Sequence, residues 1–179
     1  MADDVVRIGL IADTHIPGVL ACLPDSLGGV LAGVICILHA GDLVSLKVLD
    51  ELSALAPTTA VCGNCDPPDV ARLLAERAVV PIGGRRIGVH HGHQQPSVQN
   101  RYIGFPYDAP EFDLFYEVMA AQLPGCDVIV FGHFHAPVVR EWRGILFVNP
   151  GSIAPPHARP TCAILELGKP VSARIELIP

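Results

Sequence analysis

The stretch of sequence that decides the fold is Cys126-Asp127-Val128-Ile129-Val130-Phe131-Gly132-His133-Phe134-His135. Its first part is a continuous apolar run rich in β-branched residues, which is typical of a buried strand. The run stops at Gly132, and two imidazoles follow at alternate positions, so we expect both histidines at the end of a sheet. Open α/β sheets bind their ligands at such an edge. The pair therefore indicates a candidate metal site, with partly buried structural histidines as the competing interpretation.

Other apolar runs end in the same way, each with a side chain that can bind a cation. The runs 5–12, 34–40 and 58–61 lead into Asp13-Thr14-His15, Gly41-Asp42 and Cys62-Gly63-Asn64-Cys65-Asp66. A hairpin over 79–89 leads into His90-His91-Gly92-His93. Side chains alternate along a strand, so only one of His90 and His91 faces a common site. The candidate ligands are Asp13, His15, Asp42, Asn64, His91, His133 and His135.

Helical patterns separate the early strands and become rare later in the chain. The spacing of apolar residues predicts helices over 23–32, 45–55, 69–77 and 112–123. After residue 135, a hairpin over 138–148 and an antiparallel pair over 161–178 follow. We therefore expect two sheets packed together with helices outside, in one domain over residues 1–179.

Composition excludes several classes of function. The chain has 12 basic and 18 acidic residues, a net charge of −6, and thus no general field to attract duplex nucleic acid. The longest apolar stretch, 27–38, is too short to span a bilayer, and the N-terminus lacks a secretory signal pattern. We expect a cytoplasmic protein that does not bind membranes, with reduced thiols; a homo-oligomer stays open.

The Cys62-x-x-Cys65 spacing allows two other interpretations. It matches a thioredoxin-like redox pair, or half of a zinc site. No second C-x-x-C is present to complete a structural zinc site. In the competing interpretation, the Asn64 amide oxygen binds a hard cation while Asp66 holds the loop or starts the next helix.

The ordered set Asp-x-His, Gly-Asp, Gly-Asn-Cys-Asp, His-Gly-His and Gly-His-Phe-His, followed by Asn-Pro-Gly-Ser, resembles the calcineurin-like metallophosphoesterase superfamily. It is most similar to the small bacterial and archaeal phosphodiesterases, and the resemblance spans residues 8–152. The resemblance implies an α/β fold, a four-layer αββα sandwich of two mixed β-sheets flanked by helices, with a dinuclear metal site at the strand ends. It further implies a phosphodiesterase or phosphatase that acts on a small phosphoester.

The resemblance also assigns the ligands. It places one metal on Asp13, His15, Asp42 and His135, and the other on Asp42, Asn64, His91 and His133. The ligand types suit two divalent ions, with manganese expected and iron, zinc, nickel or magnesium as alternatives. A hydroxide that bridges the two ions would attack phosphorus in line, and Asn64, Asp42 and His91 are the implied catalytic residues.

The chain departs from the larger relatives at Cys65, where they carry a histidine that protonates the leaving group. His93 and His157 are alternative proton donors, and the aromatic loop 102–107 is a candidate for stacking a base. A second function stays open. The retromer subunit that shares this fold is a non-catalytic interaction scaffold with an impaired metal site.

Overall fold

The computed structural model describes residues 5–18, 20–154 and 159–179. The α-helices in these ranges are α1 Leu27–Val30, α2 Leu46–Leu55, α3 Pro68–Ala71, α4 Pro96–Gln99 and α5 Asp113–Gln122, and a 3₁₀-helix over Pro110–Phe112 precedes α5. The strands are β1 Val6–Ile11, β2 Cys36–His39, β3 Thr58–Ala60, β4 Arg77–Ile82, β5 Arg85–His90, β6 Val128–Val130, β7 Val138–Trp142, β8 Ile145–Asn149, β9 Thr161–Leu167 and β10 Ser172–Leu177. No helix in the described ranges has both the length and the apolar character needed to cross a membrane.

The ten strands form two mixed sheets of five. The first sheet has the order β10-β9-β1-β2-β3, in which β1, β2 and β3 run parallel. The second has the order β4-β5-β6-β8-β7, in which β5, β6 and β8 run parallel. Antiparallel strands extend each parallel core. They are β9 and β10 on the first sheet and β4 and β7 on the second.

Three apolar layers hold the sandwich together. Between the sheets, Ile8 and Leu38 of the first sheet share a core with Val89 and Val130 of the second. A second core packs helices α1 and α2 on the outer face of the first sheet. An aromatic core places α5 against the outer face of the second sheet. The strands alternate between the central core and an outer one, so the predicted four-layer αββα sandwich is confirmed.

Two predicted helices are much shorter than expected. The helix predicted over 23–32 is only Leu27–Val30, where Gly28 and Gly29 each lower helix stability by about 1 kcal/mol relative to alanine. The helix predicted over 69–77 is only Pro68–Ala71. Beyond it, the carbonyl of Ala75 accepts the N–H of Cys62, so the chain returns to the sheet edge. The first difference reflects local glycine propensity and the second reflects tertiary pairing, and apolar periodicity encodes neither.

Candidate metal centre

The predicted ligands lie at one edge of the sandwich because the parallel strands of both sheets end there. Asp13, Asp42 and Asn64 follow strands β1, β2 and β3 of the first sheet. His91 and His133 follow β5 and β6 of the second sheet. Each residue lies on the loop just past its strand, where the backbone is free to leave the extended conformation.

Left-handed backbone conformations are concentrated at this edge. Seven non-glycine residues in the described ranges have positive φ angles, and five of these are candidate ligands. They are Asp13 (53°), His15 (46°), Asp42 (58°), His133 (73°) and His135 (53°). Such conformations cost about 1–3 kcal/mol each and persist where the surroundings impose them, often at functional sites. Strained backbone therefore turns these side chains towards one another.

Two glycines allow the loops to approach the carboxylates closely. A Cβ atom on Gly132 would lie 2.8 Å from Asp13 Oδ2 and 2.9 Å from the Cβ of Ala12. A Cβ atom on Gly63 would collide with the Asp42 carboxylate. Any side chain at either position would push a candidate ligand out of place. This steric requirement explains why glycine precedes His133 and Asn64 in the sequence.

Two buried carboxylates lie among imidazole nitrogens. Asp13 and Asp42 are 0% and 2% exposed. His135 Nε2 lies 3.4 Å from Asp13 Oδ1, and His15 Nε2 lies 3.6 Å from Asp42 Oδ2. The Nε2 atoms of His15 and His135 are themselves 3.1 Å apart. Nitrogen and oxygen atoms from distant segments of the chain therefore converge in one small volume.

His91 shows most clearly that the cluster suits a cation. Its Nδ1 donates to the carbonyl of Ala40 at 2.7 Å, and its Nε2 faces Asn64 Oδ1 at 3.0 Å and Asp42 Oδ2 at 3.3 Å. Burial lowers the pKa of His91, but the hydrogen bond to Asp42 and the charges of Asp13 and Asp42 outweigh it, so the pKa is raised. The described partners of Nε2 are all oxygens, so Nε2 needs either a proton or a metal ion between it and them.

The electrostatics of the carboxylates point the same way. Within the described ranges, histidines are the only basic residues within 4.0 Å of Asp13 or Asp42. Burial alone would raise the pKa of Asp42, but hydrogen bonds from His91 and Cys65 outweigh burial and lower it, so the carboxylate stays ionised. Buried anions without lysine or arginine partners are costly unless a cation compensates them. The residues present therefore fit divalent metal ions.

Three groups of residues bring possible ligand atoms within 4.8 Å of one another. They are Asp13, His15 and His135; Asp13, Asp42 and His91; and His15, Asp42 and Cys65. Cys65 was not among the predicted ligands. Its position directly after Asn64 is the only sequence feature that indicates a place near the cluster.

The two remaining candidates are placed differently. The Asn64 amide oxygen faces His91 Nε2, so Asn64 joins the cluster. His133 Nε2 instead lies 3.1 Å from the Gln99 amide oxygen, and His133 belongs to none of the three groups. Burial and the charge of His91 lower the pKa of His133 to about 4, so its imidazole is neutral. Because Gln99 accepts the Nε2 proton, Nδ1 keeps its lone pair. Sequence reasoning did not find Gln99, and no pattern marks it.

Neighbouring side chains fix the ligand loops. The Asp66 carboxylate accepts hydrogen bonds from the backbone N–H groups of Asp42 (3.1 Å), Val44 (2.7 Å) and Gly63 (2.7 Å), so it holds the loop as the sequence suggested. On the opposite side, Asn149 donates to the carbonyl of Gly132 at 3.0 Å. These bonds tie two loops together on the first sheet and brace one on the second.

The cysteine pair lacks the properties of a redox site. Burial and the charge of Asp42 raise the pKa of Cys65 to about 11, and burial raises the pKa of Cys62. Both are free thiols. Reactive dithiols have lowered pKa values instead. The structure therefore gives no support to the thioredoxin-like interpretation.

A polar cavity of about 430 Å³ lies beside the cluster. It is lined by Glu76, His90, His93, Gln94, Gln95 and Gln122. His93 belongs to the cavity wall and also lies near the candidate ligands, since its ring centroid lies 5.5 Å from that of His91 and 6.3 Å from that of His133. Burial and the charge of His91 lower the pKa of His93. His157, the other proposed proton donor, lies outside the described residues.

The aromatic loop does not present Tyr102 for base stacking, contrary to the sequence-based hypothesis. Tyr102 is fully buried and packs edge-on against Phe112 and Phe115. Tyr107 is partly buried and packs against Phe112 and Phe134. These side chains belong to the aromatic core that holds α5, because burying large rings contributes more to stability than exposing them.

Comparisons with known proteins agree with this geometry. A probable metallophosphoesterase from Methanothermobacter thermautotrophicus is 34% identical over 173 residues, which cover 94% of this chain and 90% of the relative. Phosphodiesterase MJ0936 from Methanocaldococcus jannaschii is 25% identical over 82% of this chain and 83% of the relative. The solved structure of vacuolar protein sorting 29 from Cryptosporidium parvum matches with a TM-score of 0.72 and 25% identity, covering 96% of this chain and 97% of that one. The family model of the calcineurin-like phosphoesterase superfamily domain matches residues 6–169, so the chain belongs to this superfamily.

Proposed function

We propose that the protein is a phosphodiesterase that depends on two divalent metal ions. The observation that carries this proposal is the convergence of the buried Asp13 and Asp42 carboxylates with the imidazoles of His15, His91 and His135. Mixed carboxylate and imidazole ligands suit Mn²⁺ well. In this proposal Asp13, His15, Asp42 and His135 hold one ion, and Asp42, Asn64, His91 and His133 hold the other.

Two bound cations would acidify a water molecule and offset the charge that develops on the phosphoryl oxygens. The protein side chains have separate tasks. Asp42 lies between His15 and His91, which makes it the natural carboxylate to be shared by both ions. The amide of Asn64 directs its oxygen towards His91 and one N–H towards Cys65 Sγ at 3.3 Å. The second N–H stays available to donate to a phosphate oxygen of the substrate.

The neighbouring cavity supports a diester rather than a monoester as substrate. Among the described residues, its lining contains no lysine or arginine that would bind the second negative charge of a monoester. The side-chain amides of Gln94, Gln95 and Gln122 on its wall can both donate and accept hydrogen bonds. The cavity therefore has space and hydrogen-bonding capacity for a neutral organic substituent on phosphorus. Only a diester carries such a substituent in addition to its leaving group.

The proton donors near the centre are weak. Cys65, with its raised pKa of about 11, holds its proton tightly, and His93 has a lowered pKa and is neutral near pH 7. We therefore expect that substrates with acidic leaving groups, such as aryl diesters, are hydrolysed much faster than alkyl diesters. A rate that does not depend on leaving-group pKa would show that another group supplies the proton.

The test is hydrolysis of bis(4-nitrophenyl) phosphate by metal-stripped protein and by the same protein refilled with Mn²⁺. We expect activity only after refilling, and a loss of at least about 100-fold in Asp42→Asn, as for removal of other groups that stabilise a transition state. Asp50→Asn, on the exposed face of α2, is the matched control and should keep full activity. A monoester with the same leaving group should give a lower kcat/KM.

Equal rates in stripped, refilled and Asp42→Asn samples would contradict the proposed activity. That outcome would favour the alternative, a non-catalytic interaction scaffold on the same fold. The likeness to a vacuolar protein sorting protein is the observation behind this alternative. The convergence of Asp13 and Asp42 with the imidazoles of His15, His91 and His135 is the reason why we place the enzyme first.

A further inference from the structure

We propose that Cys65 is an additional ligand of the metal centre, used when the bound ion is a thiophilic divalent cation. The cluster of His15, Asp42 and Cys65 offers one nitrogen, one oxygen and one sulfur atom within 4.8 Å of one another. Two of its members belong to the ligand set described above, and the sulfur is new to it. This inference rests on the metal centre of the proposed function but not on hydrolysis.

The backbone fixes Cys65 beside the shared carboxylate. Its N–H donates to Asp42 Oδ1 at 2.8 Å. The Asp66 carboxylate binds the N–H groups of both Asp42 and Gly63, so the two loops keep a constant separation. Cys65 itself is exposed, so packing does not lock its side chain in one rotamer. A fixed main chain and an adjustable thiol allow the sulfur to close on an ion next to Asp42.

The distances are compatible with one ion. Zinc binds sulfur at about 2.3 Å and nitrogen or oxygen at about 2.0–2.2 Å, so tetrahedral ligand atoms lie about 3.3–3.8 Å apart. A spread of up to 4.8 Å contracts to this range by small rotations of an exposed thiol and the half-buried His15 imidazole. Binding would replace the S–H bond by a metal–sulfur bond and release the proton to solvent. No oxidant or reductant is needed.

A hydrogen bond from the neighbouring amide supports the sulfur as a metal ligand. The Asn64 Nδ2 group donates to Cys65 Sγ at 3.3 Å, and hydrogen bonds of this kind orient metal ligands and tune them. Thiolates favour soft or borderline ions such as Zn²⁺, whereas carboxylates favour Mn²⁺ and Mg²⁺. One centre would thus offer two ligand sets, and Cys65 would determine how strongly thiophilic ions compete with hard ones.

Cys62 provides a matched comparison within the same motif. It lies three residues earlier, is 8% exposed, and belongs to none of the ligand groups found in the described part of the chain. The two thiols therefore share sequence context and differ in access to the centre. A role of the C-x-x-C pair as a unit would require both, whereas the ligand role requires only Cys65.

The experiment is absorption spectroscopy of metal-stripped protein titrated with Co²⁺, for the wild type, Cys65→Ser and Cys62→Ser. We expect visible d–d bands in all three, which report cobalt at the centre whatever its ligands. We expect a near-ultraviolet thiolate-to-cobalt charge-transfer band in the wild type and Cys62→Ser, and its loss in Cys65→Ser. Visible bands without a charge-transfer band in the wild type would overturn the role of Cys65 while leaving the metal centre intact.

An absence of both kinds of band in the wild type would instead contradict the metal centre itself, so the two failures are distinguishable. A second measurement uses unmodified protein and does not depend on the folding of a variant. We expect Zn²⁺ to protect Cys65 from alkylation, read by peptide mass mapping, while the exposed Cys22 stays reactive. Equal alkylation of Cys65 with and without saturating Zn²⁺ would overturn the proposal.

The affinities give a third readout. Cys65→Ser should lower the affinity for Zn²⁺ by at least about tenfold, the lower end of what loss of a supporting partner costs a metal site. The affinity for Mn²⁺ should change much less, because Mn²⁺ gains little from sulfur. An equal loss for both ions would overturn the proposal, since it would show a general disturbance of the loop.

Discussion

The two sheets contribute different chemistry to the same edge of the molecule. The first sheet supplies all the candidate oxygen ligands, and the second supplies only candidate imidazoles. The respective candidates are Asp13, Asp42 and Asn64, together with His15, on the first sheet, and His91, His133 and His135 on the second. Neither sheet presents all seven candidates. The candidate site therefore forms only when the central core packs the sheets together, so we expect packing of the sandwich and metal binding to be coupled.

The two edges are also held in place by different means. On the first sheet, the Asp66 carboxylate accepts hydrogen bonds from three backbone N–H groups. On the second, the neutral Asn149 amide donates to Gly132 and accepts from the N–H of Gly151. Hydrogen bonds to charged groups contribute more than those between neutral groups. We call the first-sheet loops the carboxylate edge and the second-sheet loops the imidazole edge. We expect the free energy of unfolding to depend more strongly on Asp66 at the carboxylate edge than on Asn149 at the imidazole edge.

The largest expected effect on stability is that of Asp66→Ala. This variant leaves three N–H groups in the loops of Asp42 and Gly63 without their acceptor, and we expect a loss of about 3 kcal/mol in the free energy of unfolding. Urea denaturation of metal-free protein measures it. Asp69→Ala, on the exposed side of α3, should stay within about 0.5 kcal/mol of the wild type. Similar values for both variants would contradict the role given to Asp66.

Asp42→Asn should separate metal binding from folding. The substituted amide still accepts from the N–H of Cys65 and has a donor for His91 Nε2, so metal-free stability should be nearly unchanged. At Mn²⁺ concentrations about 100 times Kd, the wild type should gain about 2.7 kcal/mol, and the variant should lose this gain. For a domain of this size the gain raises Tm by about 5–11 °C. Equal metal-induced shifts in both proteins would show that Asp42 is not a ligand.

Sequence reasoning predicted the sandwich because each strand carries its own signal. Apolar runs such as 128–131 end abruptly in glycine and a polar residue, and this pattern places both the strand and the loop that follows it. The order of the motifs then specified the family. These signals are local. Each spans a few consecutive residues and does not depend on which helix packs on the outer face of the sheet.

The features that the sequence did not predict depend on contacts between residues that are distant in the chain. Gln99 meets His133 from helix α4, and Cys65 reaches His15 and Asp42, although no spacing in the chain links these residues. Helix α3 ends early because Ala75 pairs with Val61, and Tyr102 is buried because its ring packs against Phe115 of α5. Each of these features is decided by tertiary packing, which overrides local propensity.

Asn149→Ala tests the imidazole edge and should have a smaller effect than Asp66→Ala. It removes two neutral hydrogen bonds and leaves the buried Gly151 N–H unpaired, while the Gly132 carbonyl keeps the N–H of Phe134, so we expect a loss of about 2 kcal/mol. Urea denaturation of metal-free protein again measures it, with the exposed Asn100→Ala as the matched control. A loss larger than that of Asp66→Ala would reverse the proposed order of the two edges.

Gln99→Ala should have the smallest effect of the four variants. It concerns His133, the candidate imidazole that belongs to none of the three ligand groups. Gln99 accepts the Nε2 proton of His133, which leaves Nδ1 free to bind an ion. We expect an affinity for Mn²⁺ about tenfold lower, because partners of this kind orient a ligand and raise its basicity. Metal titration by calorimetry measures the change, and the exposed Ser97→Ala on the same helix is the control. A higher affinity would show instead that Gln99 competes with the ion for Nε2, so that His133 must turn away from Gln99 before the imidazole edge is complete.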